Sequence, residues 1–388
     1  MIFLKRRALM TRAGFNYKTV SGIGSITLEN CVETKFKRLV LSGKSVQGEN
    51  PSIESPKEIK NSGKYDEVSG KYVIDVSVTG KNLFDISKYP FSHANETIII
   101  SPNEGQVPVK NGIDITEGVV FDENTVYCIS YDSYKVTQAN ADWTNIFTFY
   151  YTDGEYQDLY TRHFNGQEKK FFNSLLSKTV RNVAIRNPWK VGIEINKVQI
   201  EKSTKPTDYE PYREPQTVQL QLDEPLRGIG EYKDDITKDG VLRRIKEIVL
   251  DESTGFETYW ATLDKTFAFI SPTIKDATVI NNTPNRLLCN YFKVLPYGLD
   301  RTDEEVCVLF NRRFHIRFLK ERNIDTVEKL KEWLKQNPIK IQYLLQEPVL
   351  EPFENSLDSL HANDGTTIVS VDSGEAETGI EVEYAVKE

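Results

Sequence analysis

Val191 to Tyr212 reads V-G-I-E-I-N-K-V-Q-I-E-K-S-T-K-P-T-D-Y-E-P-Y. Val191, Ile193 and Ile195 alternate with Gly192, Glu194 and Asn196, the period-2 signature of a strand with one face buried and one wet. After Ile195 the phase slips by one residue, so the next apolar pair is Val198 and Ile200. An uncorrected slip would turn every side chain to the wrong face, so either a bulge or a tight bend must absorb the extra residue. Ser203, Pro206 and Pro211 then end the pattern, because proline lacks a ladder N–H and fixes φ. The stretch therefore predicts the last strand of a module, leaving the sheet as an extended tail anchored by Tyr209 and Tyr212.

The same alternation predicts strands at Ser25 to Leu28, Phe36 to Ser42 and Lys71 to Val78. Further runs follow at Thr97–Ile100, Val119–Phe121, Val126–Ser130, Thr144–Tyr151, Lys169–Phe172 and Val180–Ile185. Turn residues such as Asn103-Glu104-Gly105 and Thr152-Asp153-Gly154 separate them, and no helical segment crosses between them. That spacing predicts an antiparallel sandwich of about 100 residues, one jelly roll, over 80–212. Between Gly43 and Gly63, Pro, Gly, Asn and Ser predict a long irregular surface connection. Residues 1–23 are basic and lack a sustained period, which predicts an N-terminal arm, flexible or docked on a partner.

Beyond Tyr212 the pattern predicts strands at Val218–Leu222, Val241–Leu250, Ile339–Leu345, Thr366–Val371 and Gly379–Val386, with a hairpin turn at Asp239-Gly240. One helix is clear: Thr326 caps a run in which Val327, Leu330, Trp333 and Leu334 share a face, and Asn337-Pro338 stops it. Arg301 to Lys320 is a second candidate helix. The expected fold is mostly β: the sandwich at 80–212 plus a second β-rich domain with one or two helices. Residues 24–79 hold too few strands for a core of their own. They are expected to pack with the C-terminal region 213–388, with the sandwich inserted between.

Composition supports the β class, since 19 Tyr and 19 Phe stand against 2 Met among the 388 residues, and aromatic and β-branched residues favour pleated surfaces. With 57 acidic against 49 basic residues, a net charge of -8, the chain lacks the concentrated basic face that nucleic acid requires. Cys31, Cys128, Cys289 and Cys307 have no metal-ligand or redox spacing and are expected as buried free thiols in a reducing compartment. Lys5, Arg6 and Arg7 interrupt the apolar residues of the first ten positions, so no signal peptide or membrane span is expected there.

Gly22-Ile23-Gly24 and Gly228-Ile229-Gly230 resemble pieces of phosphate loops, but neither precedes a helix, and turns are the expectation. His93, His163, His315 and His361 are scattered singly and are expected at the surface or in packing, with no metal, no cofactor and no catalytic residue assigned. The carboxylates cluster in turns, where solvation is their ordinary role, so a glycosidase pair is the weaker alternative. The stronger chemical signal is aromatic: Trp143, Phe147, Phe149, Tyr150, Tyr151, Tyr156 and Tyr160 crowd one strand and its turn, and Trp189 follows nearby. Sugar rings pack their C–H faces on flat aromatics while polar neighbours bind the hydroxyls. The phase of 144–151 assigns Phe147 and Phe149 to the core and points Thr144, Thr148 and Tyr150 outward. Trp143, Tyr150, Tyr156 and Trp189 are the candidate glycan contacts, with simple core packing as the competing reading.

Several segments resemble structural proteins from the tails of bacteriophages and prophages. They are L-S-G-K-S-V-Q at 41–47, N-P-S-I-E-S-P-K-E-I-K at 50–60, G-K-N-L-F-D at 80–85, I-E-K-S-T-K-P-T-D-Y-E-P-Y at 200–212, L-R-G-I-G at 226–230, L-R-R-I-K-E-I-V-L-D at 242–251 and T-T-I-V-S-V-D-S-G at 366–374. The resemblance keeps its order over nearly the whole chain. It implies a minor structural or receptor-binding component of a baseplate or tail tip. The G-K-N-L-F-D to Y-E-P-Y segment is similar to a carbohydrate-binding jelly roll. It further implies a non-enzymatic virion protein, folded in the host cytoplasm and released by lysis. The resemblance also implies other tail proteins and host-surface polysaccharide as partners, and assembly as a homo-oligomer. A purely structural tail adaptor and, less strongly, a surface-glycan depolymerase are the alternatives. No ligand residue carries over from the family to a numbered position.

Overall fold

The computed structural model describes residues 15–88, 92–94, 96–100, 113–136, 143–162, 170–185, 192–259, 265–277, 286–296, 304–353 and 357–387. The fold is mostly β, its strands antiparallel except for the pair Lys293–Val294 with Val306–Phe310, with one short α-helix among the described residues. A twelve-stranded sheet dominates. Its path runs from Gln216–Leu222 through Lys71–Thr79, Gly365–Asp372, Ser25–Cys31, Gly379–Val386, Arg38–Ser42, Asp235–Thr237, Gly240–Leu250 and Ile339–Glu351 to Leu287–Cys289. Strands from both ends of the chain thus share one sheet. Ile74, Val76 and Val78, Val218, Leu220 and Leu222, and Ile380, Val382 and Tyr384 alternate onto its inner face and form one cluster of buried side chains. A second cluster, built on Phe269, Phe314, Phe318, Leu330, Leu334 and Tyr343, lies under the helix. Thr326 Oγ1 caps that helix by accepting from Lys329 N, as its sequence predicts.

The third cluster contains only residues between Phe84 and Ile200. It is enclosed by Ile113–Asp114, Val180–Ile185, Trp143–Tyr151 and Tyr156–Arg162 on one side, with the remaining sandwich strands in two further sheets. In the 191–212 stretch a bend absorbs the phase slip: Ile193–Asn196 and Gln199–Lys202 are separate strands joined through Lys197, whose φ is 54°. Val198 and Ile200 consequently return to the core. Asn82 then ties the module shut. Its Oδ1 accepts from Phe84 N (3.0 Å) and Ile200 N (3.1 Å), while Nδ2 donates to the carbonyls of Val198 (3.3 Å) and Glu210 (3.0 Å). Buried Glu201 accepts from Gln199 Nε2, Thr207 N and Thr207 Oγ1, which pins the tail against the sheet it has left. Glu210 reaches the large sheet, accepting from Thr366 N and Oγ1 and pairing with Lys81 at 2.9 Å. Tyr209 is half-buried, and burial pushes its hydroxyl up to about 12.

Four expectations require correction. Asn16–Ile23 is no loose arm but a largely exposed strand paired along its whole length with Gly379–Val386. The turn-rich passage at 43–63 contains a hairpin, Ser45–Gln47 against Ile59–Asn61. It is held by distant partners rather than by its own propensity: Gln47 Nε2 donates to the Cys289 carbonyl (2.8 Å) and Ser45 Oγ to Gln342 Oε1 (2.8 Å). The second candidate helix is a hairpin, Val306–Phe310 with Arg313–Leu319. Its two turn residues, Asn311 and Arg312, both have positive φ (47° and 60°), the conformation that closes a two-residue hairpin. Finally, Val119–Phe121 forms no strand: Val119 N closes a turn onto Thr116 O, Phe121 enters the core edge-on to Tyr127, and Val119 packs against it partly buried. All four cysteines are buried free thiols, as expected, but folding brings Cys289 and Cys307 into hydrogen-bond contact, which pushes the Cys307 thiol well up.

Candidate glycan-contact face

The candidate residues gather on the sandwich sheet whose central strand is Trp143–Tyr151. In register, Phe147 faces Leu159 and Ile185, and Phe149 faces Gln157 and Val183, so the apolar members turn inward together. The outward row pairs Thr148 with Asp158 and Ala184, and Tyr150 with Tyr156 and Asn182. Alternation along 144–151 puts Phe147 and Phe149 in the core as the sequence predicts, but the opposite row is not open: Thr148 and its neighbour Ala184 are fully buried, and the side chain of Thr144 lies outside the described residues. Openness differs from that expectation. Tyr150 points outward yet is only 8% exposed, whereas Tyr156 is 60% exposed.

Beside Tyr150 the neighbouring strand shifts register, Tyr150 pairing with Asn182 and Tyr151 with Val180. Arg181 is the extra residue, and its guanidinium carbon stands 5.7 Å from the Tyr150 ring centroid. The Tyr156 ring lies 6.1 Å from that of Tyr150 at 42°, closing the other side. Tyr150 is thus the floor of the patch and Tyr156 its exposed surface. Trp143 takes its place in the strand opposite Arg162, but its side chain, and the whole of Trp189, lie outside the described residues.

Polar groups flank the ring pair. Thr148 Oγ1 donates to Asp158 Oδ1 (2.7 Å), and Arg181 Nε donates to Asn182 Oδ1 (3.1 Å). At the sheet's end Lys178 bonds Asp153 (2.7 Å) and Glu155 (2.5 Å), and the ammonium holds the Asp153 carboxyl below the usual carboxylate range. Sequence reading missed Arg181, Asn182 and Asp158. A trace of the bulge was present in V-R-N-V-A-I, where Val180 and Val183 are an odd number of residues apart although both are buried.

A separate cleft of about 510 Å³ opens where Ile339–Glu351 bulges away from Gly240–Leu250, lined among others by Glu224, Arg243, Lys246, Asp276, Gln346 and Glu351. Its inner cations are already committed: Arg243 bonds Glu351 (2.9 Å), Asp234 and the Pro225 carbonyl, and Lys246 bonds Asp276 (2.6 Å). Histidine and cysteine are absent from its described lining. Among the described residues no three His, Cys, Asp or Glu side chains converge as a metal site would require.

Fold and patch define a class: a β-sandwich carrying an aromatic surface with polar flanks, set within a larger β-sheet protein. No family model matches this chain, and no curated protein matches it. Among solved structures, "Structure of infectious bursal disease virus Gx strain" aligns over 96% of this chain and 76% of that one at 11% identity and a TM-score of 0.08, a value too low to carry any argument.

Proposed function

We propose that this chain is a structural protein of a bacteriophage or prophage tail whose β-sandwich binds host-surface glycan through the face bearing Tyr150 and Tyr156. The observation that carries the glycan reading is the exposed Tyr156 ring tilted against Tyr150 and bordered by Asp158, Asn182 and Arg181. A flat ring with hydroxyl-binding groups at its margin matches the two faces of a sugar, one C–H and one O–H. The ordered series of tail-protein-like motifs along the sequence supports the wider assignment. The full chain should bind polysaccharide prepared from bacterial envelopes, and Tyr156→Ala should abolish that binding while leaving the far-UV circular dichroism unchanged. Undiminished binding by Tyr156→Ala would remove the patch from the reading.

The burial of Tyr150 favours a second reading, in which the aromatics serve packing and the chain is a tail adaptor without glycan affinity. Incorporation into tail particles with no polysaccharide binding by the wild-type chain is its expected signature.

A further inference from the structure

The twelve-stranded sheet ends in two edges of opposite character. At one end Leu287–Cys289 is only three residues long. Beside it, the strand Ile339–Glu351 carries three extra residues where Arg243 pairs with Val349 and Ile245 with Leu344. Glu347, Pro348 and Glu351 occupy this stretch. Short length, a bulge, a proline and charges are the standard means by which an edge is kept from pairing with another chain.

The other end has none of them. Gln216–Leu222 is seven residues of unbroken strand, paired on one side with Lys71–Thr79 and, among the described residues, with no strand on the other. Its sequence, Q-T-V-Q-L-Q-L, contains no charge, proline or glycine. Val218, Leu220 and Leu222 are buried, while Thr217, Gln219 and Gln221 are exposed. Every second residue therefore presents an N–H and a C=O to the open side, where no described backbone group pairs with them; at the strand's start the Gln216 side chain exchanges two hydrogen bonds with the His361 backbone.

We propose that this edge pairs antiparallel with the same edge of a second copy, joining two sheets across a two-fold axis. Such an interface must be complementary to itself, and the strand meets that condition. With Leu220 on the axis, Leu220 faces its counterpart, Val218 faces Leu222 and Gln219 faces Gln221. Apolar residues then extend the inner face of both copies, and amides pair on the outer face. Thr217 faces Asp223, whose charge is already neutralised by Lys71. Centring on Gln219 instead would set Leu222 against Gln216, so the apolar match selects the Leu220 register.

Sedimentation of the full chain should show a dimer. Gln219→Lys with Gln221→Lys places ammonium groups opposite one another in both symmetry-related pairs and should weaken the dimer about tenfold or more. The neutral pair Gln219→Ser with Gln221→Ser should leave it intact. Amides of 216–222 should gain hydrogen-exchange protection as wild-type concentration rises, a readout that needs no variant to fold. A wild-type monomer, a lysine variant that dimerises as tightly as wild type, or concentration-independent exchange in this strand would each overturn the proposal.

Discussion

A β-carbon on Gly228 would stand 2.3 Å from the carbonyl oxygen of Gly43, and one on Gly43 would stand 2.5 Å from Leu226 Cβ. Two backbones 185 positions apart in sequence therefore touch where a side chain on either would separate them. Ser62 lies across the same junction, exchanging backbone hydrogen bonds with Leu226. Any side chain at 228 must push apart the hairpin 45–61 and the start of the 228–233 turn. Gly228→Ala is expected to lower the unfolding free energy by about 1–3 kcal/mol, as overpacking does. Gly255→Ala, whose new methyl would meet nothing nearer than 3.7 Å, is the control and should stay within about 0.5 kcal/mol of wild type. Equal denaturation midpoints for the two variants would contradict the contact.

Asn82 closes the sandwich with four hydrogen bonds from one buried amide, reaching Phe84, Val198, Ile200 and Glu210. Asn82→Ala leaves two backbone N–H groups and two carbonyls to find other partners in a site that is 2% exposed. The expected loss is about 2–4 kcal/mol, from more than one unsatisfied buried group. Limited proteolysis should show the 203–212 tail cleaved first in this variant. Resistance equal to wild type would mean that Glu201 and Thr207 alone hold the tail.

These two anchors mark the boundary of what sequence alone discloses. Period-2 alternation made Lys71–Thr79, Gln216–Leu222, Gly379–Val386 and the inward Phe147 and Phe149 legible, because each strand has one wet face and one buried face. The hairpin at 45–61 was illegible because its strands have no such pattern and are held by Gln342 and Cys289, far away in sequence. Arg313–Leu319 escaped because its five central residues are buried on both faces, Arg317 and His315 included, so solvent exposure does not follow polarity there. At the candidate face the exposed Tyr156 was readable from its place after the Asp153-Gly154 turn. The place of Arg181 over the Tyr150 ring was not, since it follows a one-residue bulge.

The Asn311-Arg312 turn offers a gain rather than a loss. Arg312 adopts φ 60°, a left-handed conformation that an L side chain enters at a cost and glycine enters freely. Its guanidinium bonds Gln346 at the exposed surface, an interaction of small worth. Arg312→Gly, giving the Asn-Gly pair that two-residue hairpins favour, is expected to raise stability by about 0.5–1 kcal/mol in chemical denaturation. A fall of that size would show that the bond to Gln346 outweighs the backbone strain.

Asp234 gives stability an unusual pH dependence. Its carboxylate is fully buried, accepting from the backbone N–H groups of Arg244 (2.8 Å), Ile245 (3.0 Å) and Arg227 (3.1 Å) and from Arg243 Nη1 (3.3 Å). Burial pushes its pKa above the ordinary value, and these four donors pull it back only in part. A carboxyl whose folded pKa is raised binds its proton more tightly in the native state than in the unfolded chain. Its stabilising effect is then complete below the unfolded pKa of about 3.9 and is lost as pH rises through the folded value. Asp234→Asn removes this titration. Because an amide nitrogen cannot accept from Arg227 N or Arg243, the variant should be less stable than wild type, with the gap widest at the acid end. Measured by urea unfolding, the difference between wild type and Asp234→Asn should narrow as pH rises from about 4 towards neutrality. A gap that widens over that range would mean that the four donors outweigh burial and that the Asp234 carboxyl is held low instead.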